Sequence, residues 1–277
     1  MRHIYILFFC SFLLNFKVFP QNKSVRFETL SLQNGVSLNL TWAMLQDSRG
    51  YIWFGTMYGL VKYDGKNYTT YRNNPMDSTS ISFDDIITLF EDSRGNIWAG
   101  TWGGGLNKFD PNTEKFTRFL YEKSSDKGLC DNIIWAINED NSGNIWIGTQ
   151  RGGINKYDVK TKKFIHYWNN GGTNNSLPSN TVTKIYKDKQ GVMWIGTHAG
   201  LAKYLPDSDS FEVYQNSIKT DKNKEANTIR YIYEENENKL WIGTASGLFV
   251  FNKLTNKFSS FSSNKKNPLN RYYVSSI

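Results

Sequence analysis

"NIWAGTWGGGLNKFD", residues 96–110, places two tryptophans and four glycines in fifteen positions. A glycine-rich loop after an apolar run can cradle a phosphate, or it can be a tight turn between strands. The rest of the chain decides between these. "GYIWFGTMYGLVKYD" (50–64), "GNIWAGTWGGGLNKFD" (95–110), "GNIWIGTQRGGINKYD" (143–158), "GVMWIGTHAGLAKYL" (191–205) and "NKLWIGTASGLFVFN" (238–252) are five copies of one pattern. Their tryptophans, Trp53, Trp98, Trp146, Trp194 and Trp241, are spaced 45, 48, 48 and 47 residues apart. A period near 45 with several short strands per unit is the signature of a propeller. A single phosphate loop would not recur five times in register. No helix pattern follows Gly103–Gly105 to supply an N-terminal dipole to a phosphate. The loop is therefore read as a turn whose glycines supply positive φ.

Each unit reads as four strands. An apolar first strand such as "DIITLFED" (85–92) or "TVTKIYKD" (181–188) leads to a turn of the "SRGN" or "NSGN" kind. "IWIGT" is the second strand, "INKYD" the third, and "KFTRF", "KFIHY", "SFEVY" or "KFSSF" the fourth. The second strand is apolar on both faces, as a sheet wedged between neighbouring sheets requires. A lone four-stranded blade cannot bury both faces, so the blades must stack. The expected fold is all-β: a propeller of five complete four-stranded blades, with repeat units at about 39–71, 84–119, 132–167, 180–214 and 227–261.

The ends carry a further message. "RFETL" (26–30) matches the fourth-strand pattern of "KFSSF" (257–261) without strands one to three before it. "VSSI" (274–277) aligns with "VTKI" (182–185), the start of a first strand. The expectation is an incomplete ring: five blades, an orphan N-terminal outer strand and the start of a sixth blade, the front part of a longer protein. An open ring exposes an apolar blade face and free sheet edges.

Residues 1–21 read as a signal peptide. Arg2 and His3 precede "IYILFFCSFLL", an apolar run of eleven that is too short to span a bilayer. Residues 22–277 are then the partial propeller, exported to the periplasm. Of the chain's formal charge of +8, Arg2 and Lys17 lie in the leader, which leaves 8 − 2 = +6. That charge is spread over outer strands and turns, including Lys115, Lys162, Lys163 and Lys257. A solvated rim accounts for it better than a nucleic-acid groove. Cys130 alone would remain after leader removal, so no disulfide framework is implied. His166 and His198 sit in different strand types, and no carboxylates are brought together by sequence alone. No metal site, cofactor or catalytic cluster is expected.

The motif D-x-x-G-x-[IL]-W-[IFA]-G-T-x-x-G-[LI], with N-x-[IV] leading the first strand in several units, resembles the two-component regulator propeller repeat. The resemblance covers about residues 25–277. It implies the periplasmic sensor region of a hybrid two-component system. Such proteins typically carry two seven-bladed propellers, an immunoglobulin-like domain, one membrane helix, a histidine kinase and often a receiver with a DNA-binding domain. Many respond to oligosaccharides and switch on polysaccharide-use genes. Kinase, membrane helix and second propeller are not encoded in these residues, so the output is implied rather than present. Membrane attachment and any homodimer would run through the downstream region. The alternatives left open are an exported propeller enzyme, a lyase or glycosidase acting on polysaccharide, and a truncated gene remnant.

In a propeller, the loops from strand two to three and from strand four to the next strand one share a face where ligands commonly bind. Here the first set presents Tyr58, Trp102, Gln150, Arg151, His198 and Ser246. The strand-one starts add Trp42, Asp84, Asp85, Trp135 and Arg230. An oligosaccharide would stack on indoles and hydrogen-bond to the arginine and amide groups. The sites expected from sequence are Trp102, Arg151, Gln150, Tyr58, His198, Arg230, Trp42 and Trp135. Trp42 and Trp135 share the register of Ile87, so packing between blades is their competing role. Trp102 varies with Met57, Gln150, His198 and Ala245 in its column, as an exposed loop residue would. The five repeated tryptophans are expected in the core.

Overall fold

The structure, a computed structural model, describes residues 40–123, 126–171, 176–216, 225–261 and Val274. The leader (1–21), the orphan strand (26–30) and residues 275–277 lie outside these. Among the described residues, no helix is long and apolar enough to cross a membrane.

Five antiparallel four-stranded sheets are present, each a simple meander. The first holds β1 (Thr41–Gln46), β2 (Ile52–Thr56), β3 (Gly59–Tyr63) and β4 (Tyr68–Tyr71). The second holds β5 (Ile86–Glu91), β6 (Ile97–Thr101), β7 (Leu106–Asp110) and β8 (Lys115–Phe119). The third holds β9 (Ile134–Glu139), β10 (Ile145–Thr149), β11 (Ile154–Asp158) and β12 (Lys163–Tyr167). The fourth holds β13 (Val182–Lys187), β14 (Met193–Thr197), β15 (Gly200–Leu205) and β16 (Ser210–Tyr214). The fifth holds β17 (Ile229–Asn236), β18 (Lys239–Thr244), β19 (Gly247–Asn252) and β20 (Lys257–Ser260). First strands pack on first strands in order, β1 on β5, β5 on β9, β9 on β13 and β13 on β17. Among the described residues no comparable packing joins β17 to β1, so the array is open.

The repeated residues each have a structural task. The second-strand tryptophan wedges against the third-strand aromatic of the next blade: Trp53 on Phe109 (5.1 Å), Trp98 on Tyr157 (6.2 Å), Trp146 on Tyr204 (4.7 Å) and Trp194 on Phe251 (5.5 Å). Trp53, Trp98, Trp146 and Trp194 are buried. Trp241 departs from the expected core position. It is only part-buried, and its close ring partner is Phe261 (4.8 Å), because no described blade lies beyond it.

The turn aspartate six residues earlier fixes each indole. Trp53, Trp98, Trp146 and Trp194 donate Nε1–H to Asp47, Asp92, Asp140 and Asp188 at 2.9–3.0 Å. The same carboxylates accept backbone N–H groups of their own turns, for example Arg49 and Tyr51 on Asp47. Burial opposes ionisation of Asp47, Asp92 and Asp188. The indole donors and the other hydrogen bonds outweigh it and hold these carboxyls below their ordinary value. The fifth blade has no such turn aspartate. There Lys253 reaches Asp188 of the fourth blade (2.9 Å) and Glu234 of its own (3.0 Å), all three side chains being largely buried.

The glycine of "GT" sets how closely blades approach. A Cβ on Gly55, Gly100, Gly148 or Gly196 would lie within 3.0 Å of atoms of Ile86, Ile134, Val182 or Ile229, the opening residue of the next first strand. Gly243 stands in the same relation to Val274, whose carbonyl oxygen would be 2.9 Å from that Cβ. Val274 therefore occupies the place of the first residue of a sixth first strand, as its alignment with Val182 anticipates.

Candidate functional site

The threonine after that glycine closes the loop between the second and third strands. Thr101 Oγ1 donates to Gly105 O (2.8 Å) and accepts from Gly104 N (2.8 Å). Gly103 and Gly105 have φ of 128° and 74°. Gly103 N and Gly105 N donate to Asn132 O (3.2 and 2.9 Å). The loop's amides are engaged within the protein, so it is a turn and not a phosphate cradle. Thr56, Thr149, Thr197 and Thr244 staple the other four loops in the same way.

These loops also hydrogen-bond to the segments that enter the first strands. Trp102 N donates to Asp85 O, Gln150 N to Ile133 O, His198 N to Thr181 O and Ala245 N to Thr228 O. Gly59 N donates to Asp84 O and Gly153 N to Asn180 O, each in the following blade. The two loop sets therefore form one face. The asparagine of N-x-[IV] secures this face: Asn132, Asn180 and Asn227, with Asp84 in the second blade, accept the N–H of the second residue after the previous fourth strand, Tyr121, Asn169, Asn216 and Asn73 respectively. Asp84, a strand-one start on this face, accepts the Asn73 N–H at Oδ1 (2.7 Å).

Each first strand carries a β-bulge near its start, with the ladder skipping one residue: Trp42, Ile87, Trp135, Thr183 and Arg230. A bulge re-aims its side chain out of the sheet pattern. Three of the eight residues expected from sequence thus stand at equivalent bulges. Trp42 is 58% exposed, as Leu40 (43%) and Met44 (70%) are, on the edge of the array where no described blade packs. Trp135 is half-buried and meets Trp102 edge-to-face, with centroids 5.0 Å apart at 83°. Trp102, 42% exposed, also bridges Ile133 through its backbone. Trp42 hydrogen-bonds Asp85, whose carboxyl is pushed up by burial, the indole partly offsetting this. Asp85 Oδ1 and Trp135 Nε1 are buried and make no hydrogen bond.

The adjoining sector holds the polar residues. A groove of about 470 Å³ between the third and fourth blades is lined by Gln150, Arg151, Asn169, Pro178 and Thr181. Arg151 is exposed, its N–H fixed by Asp131 Oδ2 at 2.7 Å. His198 is exposed at the rim. Partial desolvation of its ring and the charge of Arg230 hold its pKa below 6.5, so it is an uncharged acceptor at neutral pH. Tyr58 is 48% exposed on the first blade's loop. The eight residues expected from sequence therefore share one face. Ser246 is buried with its N–H on Thr244 Oγ1, whereas Tyr58, at the equivalent position of an equally short turn, is exposed. Among the described residues no group of three or more His, Cys, Asp or Glu side chains could hold a metal ion. The bulges and Asp85's role escaped sequence reasoning. The shared register of Trp42, Ile87, Trp135, Thr183 and Arg230 was the available signal.

Stacked meander blades with a motif-built loop face define a β-propeller. The family model of the two-component regulator propeller matches residues 35–58, 80–103, 128–151 and 176–199. Among solved structures, the extracellular domain of a hybrid two-component system from B. thetaiotaomicron is 28% identical with a TM-score of 0.71, covering 84% of this chain. The extracellular domain of a one-component system from the same organism, at 22% identity and TM-score 0.65 over 82% of this chain, shares the fold. The chain spans 31% of each of those structures. A histidine kinase, P4, of Formosa agariphila is 44% identical over 62 residues, 22% of this chain and 4% of the kinase.

Proposed function

We propose that this chain is a ligand-sensing propeller segment of an extracytoplasmic two-component sensor, binding an oligosaccharide on its loop face and signalling through a kinase region outside these residues. The repeat family and the extracellular domains it resembles support the sensor reading and the placement outside the cytoplasm. Residues 1–21 would act as the export signal. The observation that carries the saccharide reading is the Trp102–Trp135 pair, an exposed indole braced edge-on by a second, beside the groove at Gln150 and Arg151. Indoles offer flat apolar faces to the C–H faces of sugar rings, and the arginine and amide offer donors to hydroxyls. In this reading the segment binds its ligand as a sensor domain, which its similarity to extracellular domains of two-component systems supports.

The test is an oligosaccharide array probed with the full chain and with Trp102→Ala. The expectation is a defined set of binders, each weakened about tenfold or more by the substitution, or ~1.4 kcal/mol. Equal binding by both proteins, or no binder at all, contradicts the reading.

A further inference from the structure

On the opposite face, the turns between first and second strands are joined from blade to blade by a repeated hook. The last β5 residue, Glu91, accepts Ser48 N (2.8 Å) and Ser48 Oγ (2.6 Å) from the first blade's turn. Glu139, ending β9, accepts Ser93 N and Ser93 Oγ, both at 2.8 Å. Glu234 of β17 accepts Lys189 N at 3.0 Å. These glutamates hold one register, opposite Ile97, Ile145 and Leu240. Between the third and fourth blades the pattern breaks. Lys187, opposite Met193, stands where the glutamate stands elsewhere, and Asn141 stands where Ser48 and Ser93 stand. Asn141 N donates to no acceptor among the described residues, and its side chain makes only a long contact to Gly191 O (3.4 Å).

A crevice of about 560 Å³ opens at this same interface. Asn141, Ser142, Lys156 and Lys203 line it, with an apolar wall from Met193 and Tyr204. Lys156 is held in place, its Nζ 3.9 Å from Asp140 and over the rings of Trp146 (5.2 Å) and Tyr204 (5.6 Å). Asp140 is the acidic residue lining the crevice. It is engaged by Trp146, Asn144 and Ser142. Three interfaces of this protein thus show a carboxylate seated on the turn amide. The interface between the third and fourth blades replaces that carboxylate with a cation, keeps the third-strand lysines that recur as Lys62 and Lys108 opposite Trp53 and Trp98, and leaves room for a sugar unit or two.

We propose that this crevice binds the carboxylate of an acidic sugar. A uronate carboxylate would accept the Asn141 N–H as Glu91 accepts Ser48 N. Lys156 and Lys203 of the lining would supply the balancing charge, with Lys187 at the register position that the glutamate holds elsewhere, and the ring's apolar face would rest on Tyr204 and Met193. The site is separate from the loop face and does not depend on it.

The experiment measures binding of digalacturonate and of neutral galactobiose to the full chain by calorimetry, together with the thermal midpoint. Lys187→Glu restores the internal hook. It is expected to weaken digalacturonate binding at least tenfold while raising the thermal midpoint of the free protein. Lys203→Met is expected to weaken binding severalfold with the midpoint unchanged, which keeps the test decisive should the first variant misfold. Trp102→Ala is expected to leave digalacturonate binding intact. Galactobiose binding as tight as digalacturonate, undiminished binding in both lysine variants, or no digalacturonate binding overturns the proposal. Loss of digalacturonate binding in Trp102→Ala also overturns it, by moving the acidic sugar to the loop face. Failure of Trp102→Ala to affect array binders refutes only the loop-face reading.

Discussion

Gly148→Ala isolates the packing that sets blade spacing. Gly148 sits in β10 with ordinary φ, so alanine meets no backbone strain there. Its new methyl would lie 2.6 Å from Val182 Cγ1, 3.1 Å from Val182 Cβ and 3.3 Å from Ala136 Cβ. Val182 is fully buried at the opening of β13, so the contact can be relieved only by shifting a blade. Overpacking of this kind costs about 1–3 kcal/mol. In an unhindered site the same substitution would stabilise by ~0.4–1 kcal/mol through the unfolded chain. The two outcomes differ in sign. For a domain of this size the expected loss lowers the thermal midpoint by about 2–12 °C. Urea unfolding of the full chain, followed by tryptophan fluorescence, gives the free-energy difference. Adding Val182→Ala removes the obstructing methyls. The double variant should then be more stable than the sum of the single effects predicts, by ~1 kcal/mol. A stabilised or neutral Gly148→Ala, or strict additivity with Val182→Ala, would refute the steric argument.

Other consequences follow from the same geometry. Lys253→Met leaves the buried carboxylates of Asp188 and Glu234 without their shared cation, and should cost about 3–5 kcal/mol in urea unfolding. Asp47, Asp92 and Asp188 have folded pKa values below 3.8, so their ionised form stabilises the fold above 3.8 and this contribution is lost as pH falls through the folded values. An acid titration of the thermal midpoint should show that fall, and Asp92→Asn should make it shallower. Lys162 holds φ of 59° in the turn before β12, so Lys162→Gly should not destabilise and should gain up to ~1 kcal/mol by relieving the left-handed backbone.

The repeat made the blades legible, because a period near 47 with an apolar second strand has few other physical solutions. The tryptophan column told of the core, and it failed only at Trp241, where burial depends on a blade that the described residues do not include. What the local pattern could not carry was contact between units. The glutamate that ends a first strand looks like a solvated charge until its partner, the serine of the previous blade's turn, is placed beside it. The bulges were hidden for a related reason. Trp42, Trp135 and Arg230 read as ordinary strand residues in an alternating pattern, and only the pairing partners reveal the skipped step. Burial of Ser246 was likewise not legible from its turn, because Tyr58 at the equivalent position is exposed. Exposure at Trp102 was inferable, since its column accepts methionine, glutamine, histidine and alanine alike.

The most direct test of the central claim is hydroxyl-radical footprinting of the full chain with and without an array-positive oligosaccharide. The account predicts protection concentrated on Trp42, Tyr58, Trp102 and His198, on the loop face. Protection confined to the outer strands, or to the turns around Asp47 and Asp92, would contradict it.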